Sequence, residues 1–209
     1  MKVYNSAEMR RREQAAVDAG SSFLQLMENA GSAAAADLMR RLPDGKRALA
    51  VCGKGNNGGD ALVMARLMQQ HGWQTDIVFA LGDTLSDLAE TNRRRLDGLD
   101  GIRFLPLQTL LSGSLKERYD VCIDAVFGTG FSGALPESVA AVCRSLNRMG
   151  GLKTALDIPT GLACDTGEAD PDTFRADLTY AFAAFKPAHL SAAGKTLCGE
   201  TVCLDIGID

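Results

Sequence analysis

The segment Ala48-Leu49-Ala50-Val51-Cys52-Gly53-Lys54-Gly55-Asn56-Asn57-Gly58-Gly59-Asp60 joins a short apolar run to a glycine-rich loop. The run reads as a strand. The residues beyond the loop, 58–71, place Leu62, Met64, Ala65, Leu67 and Met68 on one helical face and stop at Gly72. Strand, loop and helix in that order form a βα unit. Four glycines free the loop for tight turns and close approach to a ligand. The unpaired N–H groups and the positive end of the helix face the same loop, an arrangement that suits phosphate. The plainer alternative is a tight βα turn with Asn57 and Asp60 as helix caps.

The pattern continues outward from this unit. Upstream, residues 7–19 read as a helix ended by Gly20. Ser22 with Gln25 then forms a capping-box pattern that starts a second helix, which runs through Leu42 and stops at Pro43-Asp44-Gly45. The alanine run 33–36 inside it implies close helix packing. Downstream, strands are expected over 76–80, 102–105, 120–125, 153–157, 178–183 and 201–204, with helices over 86–99 and 137–149. This alternation predicts one Rossmann-like α/β domain over residues 1–209, with a mainly parallel central sheet covered on both faces and a helical N-terminal extension. Ligands are expected beyond the carboxyl ends of the strands.

Composition narrows the function. The chain has 209 residues, 46% of them hydrophobic, enough for one substantial core. Lys and Arg total 22 against 26 Asp and Glu, a net charge of -4 that argues against nucleic acid or an anionic membrane as partner. No segment reaches membrane-spanning length, and residues 1–12 are polar and basic with no apolar stretch behind them. A cytoplasmic location is expected. Six cysteines are scattered without a Cys-x-x-Cys pair and there are two histidines, which points to free thiols in a reducing compartment and away from zinc.

Gly53, Gly55 and Gly58 also satisfy G-x-G-x-x-G, the fingerprint of nicotinamide dehydrogenases. Such a fold needs an acid at the far end of the next strand to hold a ribose. Here Asp76 stands at the start of that strand, and Asp83 beyond its end is a loose substitute. A Walker A lysine is absent. Two further loops follow strand ends. In Asp124-Ala125-Val126-Phe127-Gly128-Thr129-Gly130-Phe131-Ser132-Gly133-Ala134, an aspartate at a strand end is expected to be exposed to ligand, and three glycines leave amides free for a second phosphate. Asp124 could instead cap its own loop, and Phe127 and Phe131 read as loop anchors. In Asp157-Ile158-Pro159-Thr160-Gly161-Leu162 a carboxylate again ends a strand, although all of these are turn residues. Asn57, Asp124 and Thr160 offer hard oxygen donors, a set suited to a monovalent cation. Lys186, after an apolar strand, either meets a ligand or is solvated. His189 reads as a loop histidine and Arg93-Arg94-Arg95 as a solvated helix face.

The sequence resembles the YjeF N-terminal domain family, the NAD(P)H-hydrate epimerases. The matching stretches are Leu26-Met27-Glu28-Asn29-Ala30-Gly31, residues 53–60, Asp124 with Gly128-Thr129-Gly130, Asp157-Ile158-Pro159-Thr160-Gly161, Phe185-Lys186-Pro187 and Asp205-Ile206-Gly207-Ile208. They span essentially the whole chain. The resemblance implies a three-layer α/β/α sandwich, an isomerase that interconverts the R and S forms of the C6 hydrate of NADH or NADPH in nucleotide repair, and a bound potassium ion. It assigns substrate binding to Asn56, Asn57, Gly58, Gly59, Asp60, Gly128, Thr129, Gly130, Phe131, Ser132, Gly133, Ala134 and Asp157, and potassium to Asn57, Asp124 and Thr160. Asp157 is expected to act as acid/base at C6, with Lys186 assisting. Ala61 and Thr160 depart from the Gly and Ser common in the family, and threonine keeps both hydroxyl and carbonyl. Many bacterial members continue into an ATP- or ADP-dependent dehydratase, and members often pair as homodimers. Two alternatives stay open: a noncatalytic binding or scaffold module, as in relatives that serve messenger-RNA decapping or lipoprotein binding, and a nicotinamide dehydrogenase.

Overall fold

The computed structural model describes all residues except 116 and 209. Seven strands form one sheet: β1 (Arg47–Cys52), β2 (Gln74–Phe79), β3 (Ile102–Leu105), β4 (Val121–Ala125), β5 (Leu152–Leu156), β6 (Leu178–Phe182) and β7 (Glu200–Leu204), in the order β3-β2-β1-β4-β5-β6-β7. Every neighbouring pair is parallel, so the sheet is wholly rather than mainly parallel. Central strands buried on both faces read as unbroken apolar runs, which is why β1 and β4 were visible in the sequence. The strand order reverses between β1 and β4, paired from Ala48↔Val121 to Cys52↔Ala125, and such a switch point opens a crevice at the carboxyl ends of the strands.

Period-two alternation in β1 divides the core. Ala48, Ala50 and Cys52 face α2 (Phe23–Arg41) and α3 (Asn56–Gln70), whereas Leu49 and Val51 face α6 (Glu137–Asn147) and Phe174. Small side chains on the first face let the helices approach closely. Helices α2 and α3 also pack tightly on each other: a Cβ on Gly31 would lie 2.6 Å from Val63 and 2.7 Å from the Asp60 carbonyl. The two helical layers around the sheet complete the three-layer sandwich.

Several boundaries differ from the sequence reading. Helix α3 begins at Asn56, with Gly55 as its N-cap, so Asn57 and Asp60 are helical residues and not caps. Helix α4 (Asp87–Arg94) takes Ser86 as its N-cap and ends before residue 99. Strand β5 stops at Leu156, because Asp157 has a positive φ of 61°. The short helices α5 (Leu107–Leu111), α7 (Pro187–Leu190) and α8 (Ala192–Leu197) span at most six residues each, too few to show a period.

The N-terminal extension is fastened to the domain. Tyr4 N donates to Phe185 O, Phe185 N donates to Lys2 O, and the Ser6 amide and hydroxyl both donate to the Asp165 carboxylate. Helix α1 (Ser6–Asp18), capped by Asn5, therefore starts beside the segment that carries Lys186.

Candidate active site

The glycines of the first loop are required by how tightly it is folded. A Cβ on Gly53 would sit 2.0 Å from the Val126 carbonyl, and one on Gly58 would sit 2.1 Å from the Gly53 carbonyl, so any side chain there would force the βα turn open. The first turn of α3 is thereby pressed against the loop after β4. Asn57 Nδ2 donates to Phe127 O at 3.0 Å, and Asn57 Oδ1 is buried without a donor.

Asp124 differs from its sequence reading. A strand-end aspartate was expected to be exposed, yet Asp124 is fully buried because the loop after β5 closes over it. Its Oδ2 accepts from Thr160 N at 2.7 Å, and its Oδ1 accepts from Thr160 Oγ1 at 2.7 Å and from Val126 N at 3.3 Å. Burial pushes the carboxyl up to about 6, against these hydrogen bonds. Thr160 Oγ1 in turn accepts from Phe127 N at 3.0 Å. Asn57, Asp124 and Thr160 thus converge around Phe127. Among the described residues Asp124 has no ion-pair partner.

The third group lies around Asp157. Its Oδ2 accepts from Thr129 N at 3.1 Å, and its Oδ1 lies 2.6 Å from Lys186 Nζ. Lys186 is fully buried and also donates to Phe182 O at 2.7 Å, so the solvated alternative for this lysine is excluded. His189 is likewise buried, on α7 rather than in a loop. Its Nδ1 accepts from Lys186 N at 3.0 Å, which leaves Nε2 to carry the proton and donate to Asp157 O at 2.8 Å. Burial lowers the His189 pKa and keeps the ring neutral. One histidine thus fixes the backbone of both members of the ion pair.

These loops wall a cavity of about 450 Å³, within the usual size of ligand pockets. Asn56, Asn57, Asp60, Gly128, Thr129, Gly130, Phe131, Asp157 and Lys186 line it. Gly58 and Gly59 are buried inside the fold, with Gly59 against Met27, and Ser132, Gly133 and Ala134 stand exposed outside its lining. Asp124 and Thr160 sit behind its wall. Phe127 and Phe131 stack on each other with ring centroids 5.3 Å apart and form part of the lining. Asp76 belongs elsewhere: Arg103 and the Tyr119 hydroxyl hold its carboxylate, an ion network at the opposite end of the strands.

Sequence reasoning missed one wall. Met9, Arg10 and Glu13 of α1, together with Phe23, Leu26 and Met27 of α2, face the cavity. The spacing of Met9 and Glu13 is one helical turn, a signal present in the sequence but masked by the run of arginines between them. Burial raises the carboxyl of Asp60 well above its usual range, with Asp157 and Glu13 adding to the effect; burial and then Asp157 raise that of Glu13.

A parallel sheet with a switch-point crevice, a helix N-terminus and a buried carboxylate–lysine pair together define a Rossmann-like ligand-binding domain with the machinery for proton transfer. Residues 24–188 match the family described as YjeF-related protein N-terminus, and the chain belongs to that family. It is similar to the bifunctional NAD(P)H-hydrate repair enzyme Nnr of Pyrobaculum aerophilum, 38% identical, where all of this chain covers 42% of that protein. It is also similar to the NAD(P)H-hydrate epimerases of Pirellula staleyi, 32% identical over 99% of this chain and 93% of the relative, and of Elusimicrobium minutum, 33% identical over 100% and 96%. The crystal structure of yeast ynu0 shares the fold, with a TM-score of 0.80 over 97% of this chain and 87% of that chain at 21% identity.

Proposed function

We propose that this domain is an epimerase that interconverts the R and S forms of the C6 hydrate of NADH and NADPH. The observation that carries this reading is the Asp157–Lys186 pair, held 2.6 Å apart with Lys186 wholly out of solvent, at a cavity bounded by a glycine-rich loop and a helix N-terminus. Relatives covered almost end to end by this chain bear the name NAD(P)H-hydrate epimerase.

The substrate's C6 carries a hydroxyl beside ring nitrogen N1. Protonation of that hydroxyl lets the N1 lone pair expel it as water, leaving an iminium. Water then adds to the other face of C6 and gives up a proton. Asp157 serves as the acid/base group at the C6 oxygen. Thr129 N and Lys186 fix its two oxygens, so the carboxylate is already oriented before substrate arrives. Lys186 holds a positive charge beside it, and Asp60, whose carboxyl burial raises well above its usual range, lies in the same cavity wall. The free amides of the first turn of α3 and of the glycines at 128 and 130 receive the phosphates.

Asn57, Asp124 and Thr160 fit a potassium ion. Asn57 Oδ1 is buried without a donor, the Thr160 carbonyl accepts from Phe174 N at 2.9 Å and keeps a second lone pair that meets only the Cys143 thiol at 3.9 Å, and the buried Asp124 lacks a cationic partner among the described residues. All donors are oxygen, and one carboxylate balances one monovalent charge. When bound, potassium supplies the positive charge that Asp124 lacks and ties the three loops together. In this reading the protein acts in the cytoplasm, with an ATP- or ADP-dependent dehydratase as its functional partner, and pairs as a homodimer. No helix among the described residues is long and apolar enough to cross a membrane.

The test is to separate the two hydrate epimers chromatographically and follow their equilibration with and without protein. Faster equilibration with the protein is expected. Equal rates in both samples exclude the epimerase reading, and hydride transfer at constant hydrate content points to a dehydrogenase instead.

A further inference from the structure

The mechanism above uses one carboxylate, but the cavity holds three. Glu13 from α1, Asp60 from α3 and Asp157 beyond β5 share it with the buried ammonium of Lys186, while Lys54 and Arg10 also line the cavity. Epimerisation through an iminium has a geometric requirement of its own. The hydroxyl that leaves and the water that returns occupy opposite faces of the ring, and a single fixed carboxylate cannot reach both. Asp157 is fixed, since Thr129 N, Lys186 Nζ and, through its backbone, His189 all hold it.

Asp60 is a poor choice for the second group. It lines the cavity but is only 9% exposed, and a proton donor that must be recharged each cycle gains from freer contact with cavity water. Glu13 has that contact: it is half-buried, lines the cavity, and makes no hydrogen bond to another described residue. Its placement is built into the fold. The strand-like contact of residues 2–4 with Phe185 and the double hydrogen bond from Ser6 to Asp165 start α1 next to Lys186, and two turns later the helix presents Glu13 to the cavity.

We propose that Glu13 is a second catalytic carboxyl, which exchanges the proton with the C6 oxygen on the ring face that Asp157 does not reach. This rests on the epimerase reading and extends it. In one direction the Glu13 carboxylic acid protonates the C6 hydroxyl, the C6–O bond breaks with its electron pair leaving on water, and the N1 lone pair forms C6=N1. Water adds to the opposite face, the pair returns to N1, and Asp157 takes the proton released. In the other direction the two carboxyls exchange roles. Cavity water returns the proton from Asp157 to Glu13 between turnovers, so no external acid or base is consumed.

The charged groups around Glu13 are Asp157 beyond β5, Lys186 before α7, Asp60 on α3 and Arg10 on its own helix. Burial and Asp157 raise the Glu13 carboxyl, while Lys186 and Arg10 lower it, with a net rise. Turnover that begins from the Glu13 acid therefore falls as pH rises through this raised value. Glu13→Gln keeps shape and polarity, and removes no hydrogen bond to another described residue. The experiment measures epimer equilibration across pH for the wild type and Glu13→Gln, with NADPH affinity and melting temperature alongside. The expected result is a loss of ~10²-fold or more in turnover, disappearance of the alkaline limb, and NADPH affinity within about threefold. Wild-type turnover in Glu13→Gln overturns the assignment, as does slower turnover with the wild-type pH profile. Absence of turnover in the wild type overturns this assignment together with the epimerase reading, whereas the first two results leave that reading intact.

Discussion

Asp157 has a backbone conformation that few non-glycine residues adopt. A φ of 61° costs an L residue roughly 1–2 kcal/mol, and here Asp157 N donates to Tyr180 O while Asp157 O accepts from His189. These bonds hold the turn that aims the carboxylate at the cavity. Asp157→Asn keeps the shape and removes the charge, so turnover in the epimer assay should fall by ~10²–10⁴-fold while NADPH binding changes far less. The same variant leaves Lys186 buried without its counter-charge, and calorimetry should show a melting temperature lower by several degrees. If Asn57, Asp124 and Thr160 hold potassium as proposed, replacing sodium with potassium should raise the melting temperature. Saturation at a hundredfold over Kd is worth about 2.7 kcal/mol, and Asn57→Ala or Asp124→Asn should abolish the difference. Asn57, Asp60 and Asp157 were legible in the sequence because glycines and carboxylates after apolar strands stand out locally. The burial of Asp124 and Lys186 was not, since it depends on which distant loop covers them. Glu13 was hidden too, because nothing local separates it from the charges around it.

The elements that position these residues depend on close contacts and on one histidine. Gly31 of α2 sits against Val63 and the Asp60 carbonyl of α3. Gly31→Ala must push the helices apart, at a cost of about 1–3 kcal/mol, measurable by denaturant unfolding, and should impair turnover by shifting Asp60. His189 on α7 is kept neutral by burial, so its pKa is depressed below the ordinary 6.5. Above pH 6.5 the group is neutral in both folded and unfolded chains. Below it the unfolded chain binds the proton first, so the stability that depends on the neutral ring is lost as pH falls through the folded value. Unfolding free energy should decline on acidification from pH 6.5, and His189→Gln should flatten that slope. The longer helices and buried strands could be read from periodicity to within a few residues. The short helix that carries His189 could not, because four residues show no period.

For the whole molecule, alternation of strands and helices fixes the class and places ligands at the carboxyl ends of the strands. It contains no record of strand order, so the β1–β4 crevice and the return of α1 to the cavity appear only in three dimensions. A second groove, bounded by Arg41, Tyr119 and Gly151, lies near the opposite ends of the strands and serves as an internal comparison. The decisive measurement is a crystal structure of the protein soaked with NADPH in potassium buffer. The nicotinamide ring should lie in the cavity with C6 roughly 3–4 Å from the Asp157 carboxylate, directly or across one water, and with phosphate oxygens at the first turn of α3. Density for the dinucleotide in the Arg41 groove, or in the cavity with its adenine beside Asp157, would contradict the assignment of this site.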